Sequence, residues 1–522
     1  MIREIFRRKC LRLWLCKPEY MERTKWENRF VLLRFWKKNY MMFLKDLKRF
    51  KMERLYDKLK AYSESDFYAF HMPGHKRNKA LLGIELPYDL DITEIDGFDD
   101  LHHADGILKE EQERAARVFG AEESHFLVNG STAGILSAVM GCTHRGDKIL
   151  VARHCHKSIY HAIYMNGLVP RYVYPEFDIS MHMNGEISKE DVAKALAAEP
   201  DIKAVVIVSP NYDGVVSDVK GIAEVAHSYR IPLIVDEAHG PHFGFHPAFP
   251  GRANDLGADV VINSLHKTLP SLTQTAILHI NGKFANRRRI KKYLDMLQSS
   301  SPSYIFMASL DACVDFLDGK CEEAFELYVE RLQKFREELE PLQHLQILRT
   351  EHYDISKVVI STANANITSP ELADRLRKEY HLEMEMTGGT YVLAMTTVAD
   401  TQEGLDRLKA ALLEIDGQLE AKTAVSGSIE ISGELPRLEQ YFTPQEAADR
   451  EEDGEAEEIP WKESEGHISL EYAYLYPPGS PVIVPGERIS QEAVELLRYY
   501  ETQNLQIEGI QTEGKIKVWK HE

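Results

Sequence analysis

PLIVDEAHG (232–240) and VVINSLHKTLPSL (260–272) are the stretches whose reading decides the fold. Each opens on an aliphatic run with no polar face, and AVVIVSP (204–210) has the same texture. A strand that is apolar on both sides is covered on both sides, as in a parallel sheet wrapped by crossover helices. Working outward, the strand candidates are Lys148–Ala152, Val169–Tyr174, Ala204–Pro210, Pro232–Ala238, Asp259–Leu265 and Gln274–Ile280. Helical text separates them, including Ser188–Glu199, opened by a Ser188-x-x-Asp191 capping box, and Val219–Arg230. The alternation, which begins near residue 116, predicts an α/β protein.

The flanks read differently. Residues 52–115 are an N-terminal segment and 116–300 the large domain. Long charged helices over 284–340 lead into a smaller α+β domain, so that 301–418 holds a helical connection and that domain. In it Ser369-Pro370-Glu371 predicts a helix start with Ser as the cap and Pro at the first helical position. Residues 419–467, with EEDGEAEE, predict a mostly exposed acidic connector, and 468–522 a C-terminal domain. Residues 1–51 carry 16 Lys/Arg against 5 Asp/Glu and three of the five tryptophans. This basic leader is expected to be dispensable, with Met52 as the functional start.

Composition narrows the function. The chain has 522 residues, 44% hydrophobic and 28% charged, enough for several cores of an enzyme-sized globular protein. A net charge of −19 argues against a nucleic-acid partner, and charges interrupt every apolar run of the leader well short of a membrane span. Six cysteines scattered without CxxC spacing fit a reducing cytoplasm. His71-x-x-x-His75, His102-His103 and His154-Cys155-His156 lack a four-ligand pattern, so no metal site is expected.

Chemistry concentrates where loops meet the carboxyl ends of the strands, the place where open α/β sheets bind ligands. Asp236 ends one buried run, and desolvating a carboxylate is costly unless it faces a cation or a proton. Ser264, His266 and Lys267 end another. Burial lowers a lysine's pKa and leaves an amine able to attack a carbonyl. Asn129-Gly130-Ser131-Thr132-Ala133-Gly134 leads into a helix whose N-terminus can hold a phosphate. Taken singly, each has a plain structural reading: a salt bridge for Asp236 or Lys267, a capped turn for the Gly/Ser stretch. Together a phosphate cradle, an acid for a pyridine nitrogen and a lysine for an aldehyde describe a pyridoxal-phosphate site.

At this point the chain resembles the Orn/Lys/Arg decarboxylase family of fold-type-I pyridoxal-phosphate enzymes, in its compact form lacking an N-terminal wing domain. The resemblance is carried by FHMPGHKR (70–77), DITEIDGFDDLHH (91–103), VNGSTAG (128–134), RHCHKSIYHA (153–162), SPNYDGVVSD (209–218), VDEAHGPHFGFHP (235–247), SLHKTLPSLTQTAILHI (264–280) and YPPGSPVIVPGE (476–487). It implies a mainly parallel seven-stranded sheet, with Lys267 linked to the cofactor, Asp236 on the ring nitrogen and His156 stacked on the ring. It further implies Ser131, Thr132, Ser264 and His266 at the phosphate and His239 beside the cofactor–lysine link. The implied activity is decarboxylation of a basic amino acid to its amine in polyamine biosynthesis, with arginine favoured and lysine or ornithine as alternatives. Another fold-type-I reaction such as transamination is the runner-up, and a nonenzymatic regulator retaining the fold is the rival of a different class. The active unit is expected to be a homodimer or higher homo-oligomer. Glu487, in the C-terminal loop that the resemblance brings near the substrate tail, is the expected partner of the substrate's distal cation.

Overall fold

The aliphatic runs do form the central sheet. The computed structural model describes residues 54–522 except 179–182, 349–350, 423–433, 476–478, 503–504 and 521–522, so the leader and part of the YPPGSPVIVPGE stretch lie outside the described residues. The strands are β1 (Glu123–Leu127), β2 (Lys148–Ala152), β3 (Val169–Val173), β4 (Val205–Val208), β5 (Leu233–Asp236), β6 (Val260–Asn263) and β7 (Ala276–Ile280). They lie in the order β1-β7-β6-β5-β4-β2-β3. β3, β2, β4, β5 and β6 pair parallel, whereas β7 runs antiparallel between β6 and β1. Every residue of β4, β5 and β6 is buried, as the lack of a polar face requires. β1, with the mixed text ESHFL and a single sheet neighbour among the described residues, is not among the strand candidates.

This topology places the site. β5 and β6 are adjacent and parallel, so Asp236, the last residue of β5, and the segment after Asn263 emerge at the same edge. The helix Gly130–Cys142 reaches that edge from the other side of the chain order. It lies tight against the sheet because Gly134 has no side chain: a Cβ there would meet Leu127 at 2.6 Å.

A second sheet, β8 (Gln346–Ile347), β9 (Lys357–Ser361), β10 (Met386–Thr387) and β11 (Tyr391–Met395), is antiparallel in the order β8-β9-β11-β10. Helices Ser369–Tyr380 and Gln402–Asp416 pack on it around a core of its own, including Leu372, Leu376, Leu408 and Leu412. The first of these helices starts one residue earlier than the sequence reading put it. Thr368 is the cap, its side chain and that of Glu371 form a reciprocal capping box, and Ser369 is already helical. A Thr ahead of Ser-Pro-Glu outcompetes the Ser because its hydroxyl stands three residues before Glu371.

The expected acidic connector is the larger departure. Between residues 434 and 467 the chain forms a helix, Pro444–Glu452, and the strand Ala456–Pro460, which pairs along its length with Lys515–Trp519. Acidity misled here because the charges have partners on that basic edge: Glu451 meets Lys517, and Glu458 meets Lys515. Trp461 and Ile459 contribute to the C-terminal core with Val482, Leu496, Leu497 and Val518. Val484 belongs instead to the large domain's core, so the C-terminal part is keyed into that domain.

Candidate active site

β6 ends one residue before Ser264, and the chain then turns through a single helical turn, Leu265–Thr268, that presents Lys267. The Lys267 amine lies 2.8 Å from His239 Nε2, three residues beyond Asp236 in the neighbouring loop. Asp236 accepts a hydrogen bond from the Ala238 amide and is otherwise enclosed. Burial pushes its carboxyl up, opposed by the nearby Lys267 charge. Burial likewise pulls the Lys267 amine down, with Asp236 opposing and Lys357 adding to the fall. His239 is held well below the ordinary histidine range by burial, reinforced by the charges of Lys267 and Lys357. The pair in contact is thus a lysine with lowered basicity and a neutral imidazole.

His156 caps the helix Lys157–Met165, its ring accepting from the Ser158 amide. Burial brings it down to about 4, with the Lys267 charge next in weight, so it too is neutral near pH 7. Ser131 and Thr132 form the first turn of Gly130–Cys142. Asn129, at the cap position, accepts from the Ser299 amide instead of capping the helix, so this N-terminus has no side-chain cap. The helix start and the lysine turn are joined through consecutive residues: Gly130 N–H donates to the Gln274 carbonyl at 3.0 Å, and His266 Nδ1 to that of Thr275 at 2.8 Å.

Whether these residues suit pyridoxal phosphate can be tested on their unmet bonds. Ser264 Oγ is buried with no hydrogen-bond partner among the described residues, and so is His239 Nδ1. A phosphate oxygen satisfies the first and an uncapped helix N-terminus alike. A pyridine N–H gives Asp236 the cation its burial calls for. The donor set fits the cofactor.

Glu487 is the exception. It is completely buried, and its Oε2 accepts from Arg153 Nη2 at 2.9 Å and from the Val484 amide at 2.8 Å. Arg153, itself fully buried, also donates to the Val482 carbonyl. Glu487 Oε1 has no hydrogen-bond partner among the described residues, but the whole carboxylate is sealed from solvent and already faces a guanidinium of its own chain, so no exposed edge of it is offered to a substrate cation. Another acid stands closer to the chemistry. Glu385 acts electrostatically on Lys267 and accepts from the Tyr212 hydroxyl. Tyr212 packs its ring 4.4 Å from His239, and the Lys267 amine lies 5.9 Å from its centre. SPNYDG carried Tyr212 as part of a motif, but nothing in LEMEMTGG (382–389) marks Glu385, because only the fold brings the small domain to the lysine turn.

Comparison with known proteins gives the same answer from a different direction. A model of the "Orn/Lys/Arg decarboxylase, major domain" matches residues 53–422, and one of its C-terminal domain matches 433–514. The chain belongs to the Orn/Lys/Arg decarboxylase family. Within that family it is 34% identical over 459 residues to an arginine decarboxylase of Bacillus subtilis, covering 85% of this chain and 92% of the relative. It is 32% identical over 487 residues to an arginine decarboxylase of Bacillus anthracis, covering 89% and 97%. Among solved structures, the lysine decarboxylase of Francisella novicida superposes with a TM-score of 0.76 at 19% identity, covering 92% of this chain and 83% of that one. The family's fold-type-I architecture is therefore the architecture of this chain.

Proposed function

We propose that the protein decarboxylates arginine to the corresponding amine with pyridoxal phosphate as cofactor. The observation that carries the reading is the 2.8 Å contact between Lys267 and His239 beside the buried carboxyl of Asp236, in a member of this family. When bound, pyridoxal phosphate supplies an electrophilic aldehyde and an electron sink for the pair left by departing carbon dioxide. Asp236 holds a proton at the pyridine nitrogen. Ser131, Thr132, Ser264 and His266 would hold its phosphate, and the neutral His156 ring would lie against its ring.

Lys267 has two tasks. Its lowered basicity keeps a fraction of the amine unprotonated and nucleophilic for capture and exchange. Later, in contact with His239, it holds the proton returned to the α-carbon. Glu385, oriented by the Tyr212 hydroxyl, takes the place first expected of Glu487 and meets the guanidinium at the far end of the substrate. Arginine is preferred to lysine or ornithine because both relatives named above are arginine decarboxylases at 32% identity or more. The setting is cytoplasmic, in polyamine biosynthesis; among the described residues no helix is long and apolar enough to cross a membrane.

The active unit is at least a homodimer, as in fold-type-I enzymes. Phe67, Tyr68 and Phe70 are 69%, 70% and 89% exposed, an apolar stretch that a second subunit would cover. Purified protein is assayed with arginine, lysine and ornithine for released carbon dioxide and product amine. Amine from arginine first supports the reading. A keto acid instead of carbon dioxide would establish transamination, and no turnover on any basic amino acid would leave the regulator.

A further inference from the structure

Beneath the Lys267–His239 contact lies a buried charge pair from the small domain. Lys357, the first residue of β9, and Asp354, three residues ahead of it, are both fully buried and face each other at 3.0 Å. The pair reaches three of the segments that surround the lysine. Lys357 Nζ donates to the carbonyl of His239 at 3.4 Å. Asp354 Oδ1 lies 3.1 Å from His242 Nε2, and His242 Nδ1 lies 2.9 Å from the hydroxyl of Thr268, the residue after Lys267. The Asp354 amide donates to the Gly214 carbonyl at 2.8 Å, two residues from Tyr212. Gly214 sits so close that a Cβ there would lie 2.9 Å from Lys357 Cγ. The amide and hydroxyl of Ser356 fill the remaining sites on the Asp354 carboxylate, at 2.9 and 2.7 Å.

A buried ion pair gains little stability over apolar residues of the same volume, whereas it fixes geometry strictly because each unmet bond is costly. We infer that Asp354 and Lys357 are positioning residues through which the small domain sets the contact between Lys267 and His239. The inference rests on Lys267 being the reactive amine. A second consequence follows from charge. The groups facing the Lys267 amine are Asp236, Glu385, His239, His156, the Tyr212 ring and, bearing the like charge, Lys357. Its charge works with burial to disfavour protonation of Lys267.

The test uses the full chain carrying Lys357→Met, Asp354→Asn, Lys357→Arg and the double change Asp354→Leu with Lys357→Met, which replaces the pair by apolar volume and keeps the test open where a single variant fails to fold. Two quantities are read: kcat and KM for arginine on the holoenzyme, and, on the apoenzyme, the pH midpoint at which acetic anhydride labels Lys267. Displaced positioning predicts a kcat loss of about ten- to a hundredfold with KM nearly unchanged. In Lys357→Met and the double variant the labelling midpoint moves to higher pH, whereas Lys357→Arg keeps it near the wild-type value. A folded double variant with wild-type kcat and an unmoved midpoint would overturn the inference. The midpoint is read without cofactor or substrate, so a wild-type protein that fails to decarboxylate arginine, which would sink the proposed function, is a separate result.

Discussion

Glu487→Gln separates the role first expected of this residue from the one its surroundings give it. The substitution keeps the volume and removes the charge opposite Arg153, a guanidinium with no exposed surface. Taking one partner from a buried ion pair costs about 3–5 kcal/mol. Both bonds fall on Oε2, so a Gln oxygen in that place can still accept from Arg153 and from Val484, and with only the charge lost the lower end, about 3 kcal/mol, is the expected loss. Since about 1.4 kcal/mol is a tenfold change in an opening equilibrium, amide hydrogen exchange over the strand Pro481–Ile483 should quicken by about a hundredfold. KM for arginine should stay within about twofold, because uniform substrate binding is untouched. Exchange at the wild-type rate together with a tenfold or larger rise in KM would refute the reasoning and return Glu487 to the substrate.

Borohydride reduction of the holoenzyme followed by peptide mapping should label Lys267, and Lys267→Ala should abolish both the label and multiple turnover; a label on Lys157 or Lys283 would contradict the assignment. Asp236→Asn should retain cofactor through the phosphate contacts yet lose most of kcat, and near-normal turnover in the loaded variant would reject its role at the ring nitrogen. Stability should fall on acidification through two buried histidines, His154, brought down by burial to about 4, and His279, brought down by burial to about 3. Both folded values lie below the unfolded value of 6.5, so the unfolded chain binds more protons between them, and this stability is full above pH 6.5 and lost as pH falls. At pH 5 the loss is about 2 kcal/mol per histidine. Urea midpoints at pH 7 and pH 5 measure it, and a His279→Gln variant that drops as steeply as wild type would count against the argument.

The fold was legible where burial leaves a mark on composition. β4, β5 and β6 announce themselves because both faces are covered, and the residues at their ends, Asp236 and Lys267, stand out as charges closing apolar runs. β1 escaped because an edge strand needs no uniform aliphatic text. The acidic stretch before residue 460 was misread because a charge run looks the same whether it faces water or a basic strand distant in sequence. The site divides in the same way. Motifs on the large domain carried Lys267, Asp236, His239 and His156, whereas Glu385, Asp354 and Lys357 arrive from the small domain with no local pattern to distinguish them from surface charges. Glu487 shows the converse: its loop packs on the large domain, as Val484 does, while its own carboxylate is buried against Arg153.

The reversed strand β7 also bears on how the chain is made. Among the described residues β1 has β7 as its only sheet neighbour, and Glu123 pairs with Ile280, so the first strand of the domain to be synthesised waits for the last. At a synthesis rate of roughly 5–20 residues per second, β1 remains unpaired on the ribosome for about ten seconds or more, with Phe126 and Leu127 not yet shielded. During that interval the nascent large domain is open to pairing with a neighbouring chain at the same stage, and the emergence of residues 276–280 closes the window. Slowing translation between residues 127 and 276 should therefore lower the yield of folded enzyme more than slowing it after residue 280.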